Sequence, residues 1–504
     1  MDAVPIDVAS VPLADLLEVA RGAPVRLTES SRERIADGRR VVDGVLASGR
    51  AVYGLTTGVG HGKDVRVPDE ALIGQQYMIV RTHSGGFGPT LPTDVTRAAM
   101  AVRLVGLTRG GSGASPAVAD SLVALLNAGV HPLLPRTSSV GAADIGAMAL
   151  IAQVAIGAGR AEYRGELLGG GEALARAGIP PLVLQAKDGL ALVSANGVSV
   201  GQGALVAERA GALADVAETV AALSMEAIRG NPSIALPVVA EGKPFPGLVE
   251  SCRQLRAALE GSYLWATDAP ASVQDPLSFR VVPQVHGAFR DTTAFAAHAV
   301  ETELNARADN PLVSPSDGTL VSNGNFHPVL LAIGFDALRV AIAHVGQLSD
   351  RRLGHLWSAF FAAMPASGPP SSDLPGMHLR YPAAAVYGEL RQLATPVSLD
   401  VGVLDQGVED HATAAPLSVR KTDEALDLLA DLLTIELLLA ADILGLRPEL
   451  PDLGTGTRAL YESAREAASG RSDGSGGAVH EAVRAVVSPP ASAGRRTRTG
   501  FRLE

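Results

Sequence analysis

Hydrophobic residues recur at mixed spacings of three and four along most of the chain, with few β-branched runs, which is the pattern of helices. Several of the predicted helices exceed the usual globular length. Long helices that are apolar on more than one side usually pack in a central bundle, often shared between subunits. Alternation typical of strands is confined to short stretches near 24–28 and 160–168. The predicted helices cover 93–107, 116–128, 202–228, 289–308, 328–350, 384–394 and 425–444.

The most apolar segment is 425–446, "ALDLLADLLTIELLLAADILGL". A membrane span needs about 20 residues nearly free of charge. We therefore predict a buried helix of a soluble bundle and no membrane association, with Gly445 and Pro448 as stop signals. The acidic residues that interrupt the segment are Asp427, Asp431, Glu436 and Asp442.

Changes in composition along the chain suggest a division into domains. We predict an N-terminal domain over 1–205 that carries glycine-rich loops, a central helical bundle over 206–475, and a flexible tail over 476–504. The stretches "RSDGSGGA" (471–478) and "SPPASAGRR" (488–496) have the composition of a linker and a mobile end.

Charge and cysteine usage narrow the class of protein. The 504 residues carry a formal net charge of −11, and a basic block occurs only at the extreme C-terminus, so nucleic acid is not expected as a partner. Cys252 is the single cysteine; it cannot form an internal disulfide, which fits a reducing cytoplasm, and we favour a core residue over a nucleophile. The N-terminal "MDAVPIDVASVPL" is acidic and contains prolines, which is unlike a signal peptide. A cytoplasmic location is therefore expected.

Glycine-rich loops lie between the helices, and polar side chains accompany them. Glycine lets the backbone approach another backbone or a ligand closely, but one such loop is a weak signal. No metal site is predicted. The loops cover 54–62, 84–88, 109–114, 138–146, 169–171 and 322–325.

Taken in order, the motifs resemble the histidine and phenylalanine ammonia-lyase family over about residues 25 to 450. The resemblance implies a mainly α fold, with a smaller N-terminal domain of helices and loops and a long central helical bundle. It also implies a small-molecule substrate and a homotetramer in which each active site draws loops from three subunits. The segments that carry the resemblance are "YGLTTGVG" (53–60), "MIVRTHSGGFG" (78–88), "SSVGAADIGAMAL" (138–150), "KDGLALVSANG" (187–197), "QDPLSFRVVPQVHG" (274–287), "DNPLV" (309–313), "GNFHP" (324–328) and "VEDHATA" (408–414).

The segment 138–150 departs from the family at its catalytic centre. Family members cyclise an Ala-Ser-Gly tripeptide into a methylidene-imidazolone (MIO) group, and the serine hydroxyl leaves to create the methylidene carbon. The flanks align here, but between Ala142 and Asp144 the chain has only Ala143 where the family has Ser-Gly. Alanine has no leaving group on its β carbon, and Ser139 precedes the β-branched Val140, which crowds the nitrogen. We therefore predict that the MIO group is absent.

Two further positions differ from the family. Leu277 stands where the family has a second catalytic tyrosine after Gln-Asp-Pro. Ser194 stands where the family has an asparagine that contacts the substrate carboxylate, and Asn196 follows two residues later. Either side chain could still form a hydrogen bond to a ligand.

The remaining family positions form a plausible acid–base site. The resemblance makes Tyr53, in the glycine-rich lid, the candidate base if its pKa is depressed. Arg280 can hold a carboxylate in bidentate fashion and stabilise the enolate charge that develops beside it. His83 and Glu409 match the histidine-specific branch, which suggests a polar, nitrogen-bearing substrate. The other predicted substrate-binding residues are Gln274, Asn305, Asn325 and Phe326.

Three hypotheses follow from these motifs. The favoured one is a lyase-like enzyme without MIO that abstracts a proton with Tyr53 and eliminates, adds, cyclises or isomerises. The second is an inactive homologue that serves as a binding or assembly protein, since loss of the serine and the second tyrosine is what drift would produce. The third is a conventional histidine ammonia-lyase that makes its electrophile by an unforeseen route.

Overall fold

The computed structural model describes residues 2–364, 375–471 and 476–488, and these residues are mainly helical. The helices are α1 (Leu13–Ala20), α2 (Glu29–Ala47), α3 (Leu72–His83), α4 (Thr93–Thr108), α5 (Pro116–Ala128), α6 (Ile145–Ala155), α7 (Gly170–Ala177), α8 (Asp188–Val193), α9 (Gly197–Ile228), α10 (Pro237–Gly242), α11 (Pro246–Ala258), α12 (Leu277–Arg280), α13 (Val282–Leu304), α14 (Val329–Ala363), α15 (Pro375–His378), α16 (Arg380–Leu393), α17 (Ala415–Gly445), α18 (Thr455–Ala468) and α19 (Gly476–Val487).

Short strands make small sheets beside these helices. β1 (Val4–Ile6) pairs in parallel with β2 (Val25–Leu27), and the other pairings are antiparallel. The predicted strand-like stretches correspond to β2 and to the hairpin of β6 and β7. The remaining strands are β3 (Phe87–Thr90), β4 (Val130–Pro132), β5 (Pro135–Thr137), β6 (Arg160–Tyr163), β7 (Glu166–Gly169), β8 (Leu312–Ser314) and β9 (Thr319–Val321), paired as β3–β5, β4–β6–β7 and β8–β9.

Local chemistry explains where the best-predicted helix begins and ends. Helix α5 starts with Pro116 in its first turn, where the missing N–H costs nothing. It ends at Gly129, which adopts φ 72° and donates its N–H to the Leu125 carbonyl, the usual left-handed cap. All seven predicted helices are present, and the four longest begin or end up to 13 residues beyond the predicted bounds, as for α14.

The described residues divide into two compact units that alternate along the chain. Unit 1 comprises 1–206, 297–334 and 397–420, and unit 2 comprises the rest. The first change of unit comes after Val206, and the two units alternate along the chain, whereas the predicted domains are consecutive. Helices α9, α13, α14 and α17 each continue from one unit into the other, so the chain returns twice to unit 1.

Residues 476–487, at the start of the predicted flexible tail over 476–504, form helix α19. Helix α19 buries Val479 and Val483, and Arg484 pairs with Asp431 at 2.5 Å and Asp427 at 2.8 Å of α17. A helix with a hydrophobic stripe and two ion pairs packs on its own unit rather than moving freely. The rest of the predicted tail, 489–504, lies outside the described residues.

Burial distinguishes core helices from membrane spans. The segments Asp188–Ile228 and Val329–Ala363 are long and apolar enough to cross a membrane, but their most apolar windows are 94% and 61% buried within the protein. Core helices pass the same length test, so the two segments are weak evidence for a span. Cys252 is fully buried in unit 2, and burial raises the pKa of its thiol, which fits the predicted core role.

Candidate active site

Tyr53 opens the lid loop, which we define as residues 53–66 of unit 1. Its hydroxyl accepts a hydrogen bond of 3.0 Å from the backbone N–H of Gly60, so the loop folds back onto the phenol. Gly54 adopts φ 64°, and a Cβ there would overlap the Leu190 side chain, which requires glycine. The glycines of the motif therefore shape the loop around Tyr53.

His83 ends helix α3, and its ring is held through one nitrogen. Its Nδ1 lies 2.8 Å from the Ile79 carbonyl oxygen. A carbonyl oxygen can only accept, so Nδ1 carries the proton and donates it. In the neutral ring Nε2 is then an acceptor, suited to a polar hydrogen on a substrate.

Glu409 lies in the segment 404–415, where its backbone pairs with Leu404 at 2.8 Å. Burial raises the pKa of its carboxyl, nearby Asp405 raises it further, and His83 opposes both. Glu409, Asp405 and His83 are therefore close enough to interact electrostatically. Asp405 is a site residue that the motif analysis missed.

The pKa of Tyr53 departs from its usual value in the direction opposite to the one required of a base. Burial raises it, the Gly60 N–H lowers it, and the charges of Glu409 and Asp405 raise it again. The depressed pKa on which the base assignment depended is absent in the free chain. The two neighbouring carboxylates would favour a ligand that carries positive charge.

The altered segment, residues 138–144, forms the floor loop. Gly141 adopts φ 81°, and its carbonyl accepts a 2.8 Å hydrogen bond from Thr413 Oγ1. Ala414 N–H donates to the Val140 carbonyl at 2.8 Å. The segment that carries Glu409 thus continues as a strap across the floor loop.

The floor loop does not fit the chemistry that forms MIO. Ala142 and Ala143 are buried, and Ala143 adopts φ 56°, where residues other than glycine are disfavoured. The Ala143 N–H donates to the Phe326 carbonyl at 3.1 Å, and the Asp144 N–H to the Ala195 carbonyl at 2.8 Å. The backbone nitrogen after Ala143 belongs to Asp144 rather than to a glycine, and its hydrogen already bonds to the Ala195 carbonyl.

Neighbouring polar groups in the floor loop also form hydrogen bonds within the protein. Ser139 Oγ donates to the Ala143 carbonyl at 3.1 Å and accepts from Gly141 N–H at 3.0 Å. The Asp144 carboxylate is fully buried and accepts from the backbone N–H and the hydroxyl of Ser199, at 2.7 and 3.0 Å. Burial raises the pKa of Asp144, and the bonds from Ser199 oppose that shift. Asp144 anchors the loop to helix α9.

Ser194 and Asn196 lie together at the junction of α8 and α9, and both are buried. Ser194 Oγ accepts from the Asn310 N–H at 3.4 Å. The side-chain polar atoms of Asn196 are buried and have no hydrogen-bonding geometry to a partner among the described residues, although the amide is near enough to Glu303 to influence its pKa. Burial raises the pKa of Glu303 to about 7, and Asn196 opposes the shift.

Asn305, a predicted substrate-binding residue, forms hydrogen bonds to other groups of unit 1. Its Oδ1 accepts from the Val11 N–H at 2.9 Å and from Arg109 at 2.6 Å, while its Nδ2 donates to the Val11 carbonyl at 3.1 Å. These bonds tie the N-terminal segment to the end of α13.

Asn325 and Phe326 lie in the loop that precedes α14. Asn325 is exposed, and its Nδ2 donates to the Arg307 carbonyl at 3.3 Å. Phe326 contacts the floor loop through its backbone carbonyl. Next to it, His327 Nε2 lies 2.7 Å from His411 Nδ1. Within the described ranges, no group of three or more His, Cys, Asp or Glu side chains could hold a metal ion.

The remaining predicted site residues, Gln274, Leu277 and Arg280, belong to unit 2. Gln274 and Leu277 are exposed, whereas the Arg280 Nε is buried and forms no hydrogen bond among the described residues. Arg280 ends the one-turn helix α12, whose Ser278 carbonyl accepts from Arg352 at 3.0 Å. Arg352 in turn forms a fully buried bidentate pair with Glu436, at 2.6 and 3.0 Å.

Comparison with known proteins identifies the family. The family described as "Aromatic amino acid lyase" matches residues 11–466. The chain belongs to this family. A histidine ammonia-lyase from Streptococcus pyogenes is 35% identical over 465 residues, which are 92% of this chain and 90% of that protein.

Solved structures agree with this assignment. An ergothioneine-degrading enzyme, ergothionase from Treponema denticola, superposes with a TM-score of 0.90 at 27% identity, covering 96% of this chain and 99% of that one. A tyrosine aminomutase from Streptomyces globisporus superposes with a TM-score of 0.88 at 28% identity, covering 96% and 97%. The mainly helical ammonia-lyase fold expected from the motifs is confirmed.

Proposed function

We propose that this member of the aromatic amino acid lyase family is an enzyme that works without MIO. It would act on a small carboxylate-bearing substrate whose side chain contains nitrogen. The observation that carries the proposal is the contrast within unit 1: Tyr53, His83 and Glu409 lie near one another, while the floor loop has alanines where the family has its electrophile.

The substrate class follows from charge. Glu409 and Asp405 both raise the pKa of Tyr53, so a cationic or hydrogen-donating group beside them would lower it again. The Nε2 of His83, which forms no hydrogen bond among the described residues, offers a further acceptor in the neutral ring. These groups support a substrate with an imidazole, guanidinium or quaternary nitrogen. Relatives named for histidine and ergothioneine make such compounds the first to test.

Proton transfer is assigned to Tyr53. As tyrosinate it would take a proton from the carbon next to the one that bears the leaving nitrogen group. The C–H electron pair would form the C=C bond while the C–N bond breaks, and the nitrogen group would depart with the electron pair of that bond. The family resemblance assigns Arg280 to the substrate carboxylate, and its Nε, which has no hydrogen-bonding partner among the described residues, is able to donate such a bond. Without an electrophile, the substrate needs an acidic proton or a good leaving group. Addition, cyclisation and isomerisation share this first step.

The test is a panel of L-histidine, aromatic amino acids and ergothioneine incubated with the purified chain in heavy water. Mass spectrometry would detect unsaturated products and deuterium incorporation at carbon. We expect exchange or elimination with at least one nitrogen-bearing compound, reduced about 10²-fold or more in Tyr53→Phe. Tyr77→Phe is the matched control, because the Tyr77 hydroxyl accepts the Leu184 N–H at 3.1 Å and Tyr77 is not a predicted site residue.

The other hypotheses predict different results. Efficient conversion of L-histidine into its unsaturated acid would favour a conventional histidine ammonia-lyase. Binding without exchange or product for every compound would favour an inactive homologue. Turnover that is unchanged in Tyr53→Phe would exclude Tyr53 as the base.

A further inference from the structure

Asp405 and His61 form a contact between two loops that lie 344 positions apart in the chain. One carboxylate oxygen of Asp405 accepts the His61 backbone N–H at 2.9 Å, and the other lies 2.8 Å from His61 Nδ1. The Asp405 side chain is 25% exposed and the His61 side chain 63% exposed. We call this contact the lid clasp.

The lid clasp involves the residue next to Gly60, whose N–H bonds to the phenol of Tyr53. Gly60 precedes His61, adopts φ 57°, and has no room for a Cβ because the Asp405 carboxylate lies against its backbone. The N–H of the same Gly60 donates to the Tyr53 hydroxyl at 3.0 Å. The carboxylate therefore contacts the residue that hydrogen-bonds Tyr53.

The turn that presents Asp405 has an unfavourable backbone. Asp405 has φ 44° and Gln406 φ 56°, in the left-handed region that residues other than glycine avoid, although aspartate tolerates it best among charged residues. Such conformations persist where surrounding contacts hold them, often at functional sites. The same turn places Glu409, because Leu404 N–H donates to the Glu409 carbonyl at 2.8 Å.

We infer that Asp405 is a positioning residue for Tyr53: through the lid clasp it holds Gly60 and thereby the phenol beside Glu409. It contacts the lid rather than the reacting atoms, so it is not a catalytic residue. The titratable groups that interact with this cluster are His61, Tyr53, Glu409 and, through Glu409, His83. The catalytic meaning of this role rests on the proposed function, but the clasp can be tested without turnover.

The experiment uses the full chain and two measurements. Amide hydrogen exchange reports opening of the lid peptide 53–66, and the rise of tyrosinate absorbance with pH, after subtraction of a Tyr53→Phe background, reports the environment of Tyr53. The variants are Asp405→Ala, Asp405→Asn and His61→Gln, with the double variant Asp405→Ala/His61→Gln. Asp317→Asn is the control, because Asp317 is an exposed turn carboxylate bonded to Ser314.

We expect Asp405→Ala to speed lid exchange about three- to tenfold, as loss of a partly exposed charge-assisted contact would. Asp405→Asn keeps one acceptor and should have a smaller effect. Entry of water and loss of the Asp405 charge should lower the ionisation midpoint of Tyr53 in both variants, while loss of the Gly60 N–H should raise it. Because burial is the largest cause of the raised pKa, we expect the midpoint to fall overall. The double variant should show the same lid exchange rate as Asp405→Ala, since the same contact is lost in both.

The inference would be overturned if Asp405→Ala showed the same lid exchange rate and the same Tyr53 ionisation midpoint as the control Asp317→Asn. Faster exchange with an unmoved midpoint would also overturn it, because a merely structural clasp would not alter the phenol. These outcomes leave the proposed function standing. Conversely, unchanged turnover in Tyr53→Phe would remove the proposed function while the clasp remained measurable.

Discussion

A methyl group added at Gly141 tests the observed geometry of the floor loop. In Gly141→Ala, the new residue would occupy φ 81°, which costs an L-residue about 1–2 kcal/mol. Its Cβ would also overlap Thr413 Oγ1 and stand 2.8 Å from the Ala415 nitrogen. Thr413 is buried and bonds to the Gly141 carbonyl and the Ala415 N–H, and displacing it forfeits about 1 kcal/mol for each bond. The total loss of stability is about 3–4 kcal/mol.

Equilibrium urea denaturation followed by circular dichroism measures this loss, with hydrogen exchange of residues 138–144 to localise it. Ala143→Gly is the control in the same loop, because it relieves a left-handed alanine and should change stability by less than about 1 kcal/mol. A Gly141→Ala midpoint within error of the unmodified protein would refute the geometry. So would equal losses in the two variants, because only Gly141 faces Thr413.

Three further predictions concern buried charge and pH. Glu436→Gln should cost about 3–5 kcal/mol of stability in urea denaturation, since it leaves the fully buried Arg352 without its anion; a loss below 1 kcal/mol would contradict that role. Burial raises the Asp442 pKa to about 8, so its contribution to stability is present at low pH and is lost as pH rises through 8. The free energy of unfolding of Asp442→Asn, relative to that of the unmodified protein, should therefore rise by about 1.4 kcal/mol per pH unit between roughly pH 4 and 8. The asparagine oxygen can still accept the hydrogen bond from the Gly376 N–H. A difference in stability that does not depend on pH would contradict this prediction. For any substrate found, kcat/KM should keep rising toward pH 10, because the pKa of Tyr53 in the free chain lies above its ordinary value; a plateau near neutral pH would exclude Tyr53 as the base.

Periodic hydrophobicity predicted the long helices, because burial on several faces leaves a strong pattern, as in α17. It missed α2, where polar residues and internal glycines weaken the stripe, and α19, where glycines resemble a linker. The hydrophobic positions Val479 and Val483 in α19 were the available signal for its packing.

The motifs indicated some features of the candidate site and not others. The neighbourhood of Tyr53, His83 and Glu409 followed from the family resemblance, because nothing local in the sequence relates positions so far apart. The same distance hid the clasp between His61 and Asp405. The direction of the shift in the Tyr53 pKa also depends on burial and on two carboxylates from another loop, which only the folded structure reveals.

The central claim is that the chain acts without the prosthetic group of its family, and the intact mass of the purified protein tests it most directly. We predict the mass encoded by the sequence, since Ala143 offers no hydroxyl to lose and the backbone nitrogens of Ala143 and Asp144 are already hydrogen-bonded. A mass lower by the waters of cyclisation, localised by peptide mapping to residues 138–144, would contradict the account.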